Sequence, residues 1–276
     1  ATRDIEEGDF FYESDISGAI EKRSDYKFSR PFGVPVRYHD YRKIVKDSNL
    51  DFVEFHLSYK DLEVDLDKYF SEDEDIGFAV HSPELFANDH ILDLGSLDEK
   101  YRLHSISLFE RVIDVTRRLK LFFPKTELPV IILNAGGWDN DRFLSQDEKF
   151  VRYSLVSKSL KSVDLSGVEI AIQTMPPFPW HFGGQSHHNL FLCADEIVTF
   201  CESNPKIKIC LDISHTMMAC NYYGWSLDEF IAKTGRYVSH LHVVDAKGSD
   251  GEGIEIGKGD VDFWSTKKML SKFCPE

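Results

Sequence analysis

The chain has 276 residues, of which 42% are hydrophobic and 29% charged, a size and composition that suit one globular domain with a short appendage. Its formal net charge of −15 and its lack of a basic stripe argue against nucleic acid as a partner. No apolar run approaches the roughly 20 residues that a membrane-spanning helix needs, so we expect no membrane partner.

The cysteines and the N-terminus both favour a cytoplasmic protein. The five cysteines are odd in number and include no C-x-x-C pair, which indicates reduced thiols rather than a disulfide framework. The first residues, ATRDIEEGDFF, are acidic and lack the apolar run of a signal peptide.

Residues 1–30 are predicted to form a separate N-terminal unit. The segment ATRDIEEGDFFYESDISGAI has turns at Glu7-Gly8 and at Glu13–Asp15. It resembles the start of the antifreeze-like domain that follows the barrel in sialic acid synthases, where a D-I-x-x-G turn precedes an acidic x-x-D-I. This resemblance implies a sialic acid synthase-like fusion, with further domains covalently linked in the full-length protein. The alternative is a plain extension packed on the domain at 31–276.

From residue 33 onward, short β-like runs alternate with helix-length stretches. Apolar residues at three- and four-residue spacing predict a long helix over 97–123. Several of the β-like runs are almost continuously apolar, as expected for parallel strands buried on both faces. We predict seven strands, at 33–39, 51–58, 76–82, 129–135, 168–174, 207–214 and 238–246. This alternation predicts an α/β fold with a parallel sheet, either closed as a barrel or open and doubly wound.

Two features favour the barrel. No G-x-G-x-x-G or Walker loop follows a predicted strand. Polar residues end six different strands, and in a (β/α)₈ barrel such ends converge on one mouth. These residues are His56, His81, Asn134, Gln173, Asp212 and His242. The eighth strand is either the short IEI at 254–256 or lies beyond this fragment, and we favour the second.

Two neighbouring strand ends carry residues that suit a metal ion. Asp212 and His215 lie three residues apart after a buried strand, and a carboxylate with an imidazole suits Zn²⁺ or Mn²⁺. The alternative is a helix-capping aspartate beside an unrelated histidine. On the next strand His240 and His242 share one face, so at least one of them should face the barrel interior. Because this histidine would lie near the Asp212/His215 pair, we favour a functional role for it over a structural role in the core.

Four segments carry a family pattern: His81-Ser82-Pro83-Glu84, DISHTM (212–217), HVVDAKG (242–248) and IGKGDVDF (256–263). They resemble the H-x-P segment, the strand-six D-x-x-H, the strand-seven H-x-x-D and the IGxGxxDF turn of sugar isomerases, epimerases and family 2 AP endonucleases. The resemblance covers most of residues 33–263. It implies a (β/α) TIM barrel of the xylose isomerase-like type.

The departures from that pattern concern the metal. Metal-dependent members place a glutamate at the end of strand five, where this chain has Gln173, and the endonuclease branch has a strand-four histidine where this chain has Asn134. Both replacements put a neutral amide in place of a strong ligand. The resemblance therefore implies either one divalent ion (Mn²⁺, Zn²⁺, Co²⁺ or Mg²⁺) or an empty site, and not a trinuclear zinc site. The predicted ligands are Gln173, Asp212, His242 and Glu252.

The segment 175–189, MPPFPWHFGGQSHHN, follows strand five. Three prolines and two glycines argue against helix or strand, so we predict an ordered loop over the mouth. Its side chains are of the types that stack on sugars and hydrogen bond to them, although a rigid cover of the core is the alternative. Together with the strand ends it predicts these substrate-binding residues: His56, His81, Asn134, Trp180, His181, Gln185 and Lys247.

Isomerases and epimerases of this type move a proton next to a carbonyl by means of carboxylates. Because Gln173 removes the usual carboxylate, either Glu84 or Glu252 is the base or the chemistry differs. We take Glu84, Glu252 and His215, which should lie within reach of substrate, as the catalytic residues. The leading hypothesis is a sugar or sugar-phosphate isomerase/epimerase in surface-polysaccharide (sialic acid-like sugar) biosynthesis. The alternatives are a non-catalytic sugar-binding or regulatory barrel fused to a synthase, and a phosphodiester hydrolase. The net charge and the missing ligands argue against the hydrolase.

Overall fold

The structure, a computed structural model, describes residues 28–46, 48–70, 73–181 and 184–275. All seven predicted strands are confirmed, each shorter than its apolar run. They are β1 Gly33–Val36, β2 Phe52–His56, β3 Gly77–His81, β4 Val130–Leu133, β5 Glu169–Gln173, β6 Ile207–Asp212 and β7 Val238–His242. Most of the predicted N-terminal unit, residues 1–27, lies outside the described part of the chain.

The seven strands form one parallel sheet in the order of the sequence, from β1 to β7. The sheet curls so far that Glu54 on β2 is 2.6 Å from His240 Nε2 on β7. Among the described residues no eighth strand joins this sheet. The IEI alternative is wrong, because Gly251–Ile254 pairs antiparallel with Asp245–Lys247 outside the sheet.

Helices connect the strands and cover the outside of the sheet. The predicted long helix is confirmed as Glu99–Leu119 and begins at Asp98, whose side chain accepts from two backbone N–H groups. Within the described ranges no helix combines the length and apolarity needed to cross a bilayer. In chain order the helices are α1 Tyr41–Lys46, α2 Glu99–Leu119, α3 Gln146–Lys161, α4 Ala194–Ser203, α5 Ile213–Tyr223, α6 Leu227–Thr234 and α7 Phe263–Phe273.

The main core lies between the sheet and these helices. Phe55 on β2 is fully buried there and packs against Phe70 and Phe123, with ring centroids 5.6 and 5.5 Å apart. Such aromatic pairs add to the free energy that their burial already contributes. This outer core fixes the strands from one side, so the inward-facing side chains are free to be polar.

The inward-facing side chains form two layers. What we call the lower layer contains Glu54, His240 and a separate buried cluster of small or apolar residues, namely Ala79, Ile132, Ala171 and Cys210. The upper layer consists of the polar residues that end the strands, namely His56, His81, Asn134, Gln173, Asp212 and His242. Because side chains alternate along a strand, each upper-layer residue lies two positions beyond a lower-layer residue.

The loop that follows β7 is organised around one buried carboxylate. Asp245 accepts hydrogen bonds from the backbone N–H groups of Ala246, Gly257, Gly259 and Val261, at 2.8–3.1 Å. Burial raises the pKa of Asp245, but these four donors outweigh it and lower the pKa. A Cβ at position 259 would collide with the Ala246 carbonyl, so this close approach requires glycine.

We predict that Asp245→Asn lowers the free energy of unfolding by about 3 kcal/mol, because an amide offers one acceptor oxygen where the carboxylate serves four donors. Urea denaturation measures the change. The matched control is Glu255→Gln in the same loop, which is exposed and should stay within about 0.5 kcal/mol. Equal stability of the two variants would show that Asp245 does not hold the loop.

Candidate active site

The upper layer, apart from Asn134, forms the floor of an open cavity of about 360 Å³ at the C-terminal ends of the strands. The predicted loop at 175–189 supplies part of its wall. The lining residues are His56, His81, Glu84, Gln173, Met175, Pro176, Phe178, Pro179, Asp212, His215, Met218, His242, Asp250 and Glu252. Eight of these are ionisable, so the cavity is built for polar chemistry rather than for an apolar ligand.

Asp212 occupies the centre of the floor. Its Oδ1 accepts from the backbone N–H of His215 (2.9 Å), so it caps α5, and its Oδ2 lies 3.3 Å from His242 Nδ1. Burial raises the pKa of Asp212, but the charge of His215 and the hydrogen bond from His242 lower it to about 2. Asp212 therefore both caps α5, as the alternative interpretation had it, and lines the cavity.

Gln173 turns its amide nitrogen, which cannot bind a metal ion, towards Asp212 and His242. Its Nε2 donates to Asp212 Oδ2 (3.0 Å) and lies 3.2 Å from His242 Nδ1, while its Oε1 lies 3.2 Å from His81 Nε2. An N–H₂ group thus stands where a cation would contact Asp212 and His242. As arranged, this upper-layer set does not fit a divalent ion, although Gln173, Asp212 and His242 are brought together as predicted.

His215 and Glu252 form an ion pair at the edge of the cavity. His215 is buried, with Nδ1 2.9 Å from the Thr174 carbonyl and Nε2 3.1 Å from Glu252 Oε1. Burial lowers the pKa of His215, but Asp212 and Glu252 raise it to about 9, so the ring is a cation at neutral pH. The Glu252 side chain is 59% exposed and faces the cavity. The Glu252 carboxylate pairs with His215 rather than with Asp212 or His242.

A second carboxylate, Glu84, lines the cavity from the loop after β3. Asn134 Nδ2 donates to Glu84 Oε1 (3.3 Å), and Asn134 itself is buried rather than cavity-lining. His81 stacks on His242 with ring centroids 5.7 Å apart. Burial lowers the pKa of His81, and the neighbouring His56 and His242 lower it further against the opposing effect of Glu54. The ring is held at both nitrogens, since Nδ1 lies 3.0 Å from the Ser82 carbonyl and Nε2 faces Gln173.

Glu54, in the lower layer, contacts three imidazoles. Nε2 atoms of His56 and His240 each lie 2.6 Å from its carboxylate, and His242 Nε2 lies 3.1 Å away. Burial raises the pKa of Glu54, but these hydrogen bonds hold it well below its usual range. The ligand atoms of Glu54, His240 and His242 lie within 4.8 Å of one another, so this group could hold a metal ion.

Sequence reasoning chose His242 as a ligand but assigned neither Glu54 nor His240 to the site. A signal was present, because Glu54 is an acid two positions before His56 in an otherwise apolar strand. Lys247 and Gln185 are exposed and do not line the cavity. The side chains of Trp180 and His181 lie outside what the structure describes.

The 175–189 loop is more regular than predicted. Trp180–His181 pairs with Gly184–Gln185, and His187–His188 pairs with Trp138–Asp139. The expectation that three prolines and two glycines exclude strands here was wrong. All three prolines precede these two-residue strands, and Gly184 lies within one of them.

A model of the family described as xylose isomerase-like TIM barrel matches residues 43–273. This chain belongs to that family. The fold prediction drawn from the four sequence motifs is therefore confirmed, and the cavity lies at the face where barrels of this kind carry their active sites.

Individual relatives are distant. The chain is 26% identical over 206 residues to an uncharacterized protein of Methanocaldococcus jannaschii. The matched region covers 72% of this chain and 67% of that protein. Among solved structures, a D-tagatose 3-epimerase-like protein is 19% identical to this chain with a TM-score of 0.60. The match covers 88% of this chain and 86% of that protein. An L-ribulose 3-epimerase is 16% identical with a TM-score of 0.59, and the match covers 88% of this chain and 77% of that protein. These two likenesses show a shared fold.

We predict that Gln173→Glu destabilises the metal-free protein by about 1–3 kcal/mol, because two carboxylates would then meet where an amide now donates to Asp212. An excess of Mn²⁺ should raise the melting temperature of this variant more than that of the wild type, since a charged ligand restores the missing donor. Thermal denaturation with and without EDTA measures both effects. Gln185→Glu, an exposed amide on the 175–189 loop, is the control, and an equal response of the two variants would contradict the assignment.

Proposed function

We propose that this protein is a sugar or sugar-phosphate isomerase/epimerase that removes a proton next to a carbonyl and returns it. The observation that carries the proposal is that two carboxylates, Glu84 and Glu252, line one cavity whose floor is polar and partly cationic. The names of the similar solved structures, D-tagatose 3-epimerase-like protein and L-ribulose 3-epimerase, favour ketoses as substrates.

In this proposal Glu84 and Glu252 transfer the protons. They come from different loops, those after β3 and β7, so they can address a bound sugar from different directions, as inversion at a carbon requires. His215, a cation within reach of the cavity, stabilises the negative charge that develops on the enediolate oxygen. Asn134 and His215 orient the two carboxylates through their hydrogen bonds.

The divalent ion expected from the sequence carries no step in this mechanism. Gln173 presents an N–H₂ to the Asp212–His242 pair that would hold Mn²⁺, Zn²⁺, Co²⁺ or Mg²⁺ there. The same amide favours the second candidate function, a sugar-binding barrel without catalysis. A role in surface-polysaccharide biosynthesis is a further proposal, supported by the resemblance of residues 1–30 to the antifreeze-like domain of sialic acid synthases.

The test is solvent exchange. Ketoses incubated with the protein in D₂O should gain deuterium at the carbon next to the carbonyl, which mass spectrometry and NMR detect. Glu84→Gln and Glu252→Gln should each slow the exchange at least about 100-fold, because each removes a proton-transfer group. Glu255→Gln, outside the cavity, should keep the full rate.

Two results would contradict the proposal. Full exchange in either cavity variant would remove that carboxylate from proton transfer. No exchange with any of a panel of ketoses, aldoses and amino sugars, while calorimetry shows that one of them binds, would leave the sugar-binding barrel as the function.

A further inference from the structure

We propose that Glu54, His240 and His242 form a divalent cation site in the lower layer, beneath the cavity floor. This is not the upper-layer set predicted from the family pattern. Its donors are one carboxylate and two imidazoles, a combination that suits Zn²⁺, Co²⁺ and Mn²⁺. The assignment concerns cation binding and does not depend on the substrate.

The strands aim these donors at one point. Glu54 lies on β2, and His240 and His242 lie two residues apart on β7, so all three project into the interior. His240 Nε2 is 2.6 Å from Glu54 Oε2, and His242 Nε2 is 3.1 Å from the same oxygen. The corresponding nitrogen of both rings therefore faces the same carboxylate.

The neighbours of the site in the lower layer are mostly small side chains. Beside Glu54 and His240 the layer holds the small side chains of Ala79, Ala171 and Cys210. The fourth residue of this cluster is the larger Ile132, and Phe52 and Val130 pack against the cluster. The site lies directly beneath the cavity, because His56 and His242 both contact Glu54 and both line the cavity.

The surroundings of His242 favour a ligand role for its Nε2. Its other nitrogen, Nδ1, lies 3.3 Å from Asp212 Oδ2, so an N–H there can donate to a carboxylate while Nε2 turns its lone pair to the ion. Carboxylate–histidine–metal arrangements of this kind orient the ring and strengthen it as a ligand. The negative charge of Glu54 attracts the ion, and this attraction lowers the cost of burying the carboxylate.

The experiment titrates the full chain, freed of metal with EDTA, with Zn²⁺ in a calorimeter and with Co²⁺ in an absorption spectrometer. The wild type should bind one ion, and Co²⁺ should give the visible bands of nitrogen and oxygen ligands. Glu54→Gln and His240→Asn should each weaken binding more than about 100-fold, whereas Asp212→Asn, which only orients His242, should weaken it about 10- to 100-fold. His39→Asn, an exposed histidine, should bind like the wild type.

Circular dichroism and melting temperature establish that each variant is folded, and His240→Asn gives the result if Glu54→Gln does not fold. Weaker binding by Asp212→Asn than by both lower-layer variants would overturn the proposal and place the ion in the upper layer. Binding of neither Zn²⁺ nor Co²⁺ by the wild type would also overturn it and leave the cluster as imidazole–carboxylate bridges. Sugar exchange is not used as a readout, so failure of the proposed reaction leaves this result unaffected.

Discussion

The contact of the Glu54 carboxylate with the imidazoles of β7 links the second strand of the sheet to the last. Its partners, His240 and His242, lie 186 and 188 residues away along the chain. Burying a carboxylate is costly unless it is paired, so these two imidazoles, together with His56 on β2, stabilise the curled sheet in which β7 meets β2 from the inside. That curvature also brings the strand ends together and so creates the cavity.

The strands were predictable because their signal is local. The apolar runs of β4, β5 and β6 are buried on both faces, and burial on both faces produces the same pattern in any parallel sheet. The four motifs placed Glu84, Asp212 and His215 correctly at the cavity, since a strand end fixes the position of the residues that follow it.

The pairings were less predictable. Glu252 could be placed near β7 by its turn, but whether it would meet His215 or the Asp212–His242 pair depends on how the hairpin at 245–254 folds back. The role of Glu54 depends on a contact between strands at opposite ends of the sheet, which no local pattern encodes. The orientation of the Gln173 amide depends on two residues, because Asp212 faces its nitrogen and His81 faces its oxygen.

His242 connects the two layers, because one ring nitrogen faces Asp212 and the other faces Glu54. Burial lowers the pKa of this ring, whereas Cys210, Asp212 and Glu54 raise it above its usual value. A proton on both nitrogens therefore satisfies both carboxylates at once. An ion in the lower layer replaces only the Nε2 proton and leaves the Nδ1–H on Asp212 in place. An ion in the upper layer would instead have to displace the Nδ1 proton and the Gln173 amide together. The Gln173 amide therefore opposes a cation in the upper layer, whereas the proposed lower-layer site leaves this amide in place.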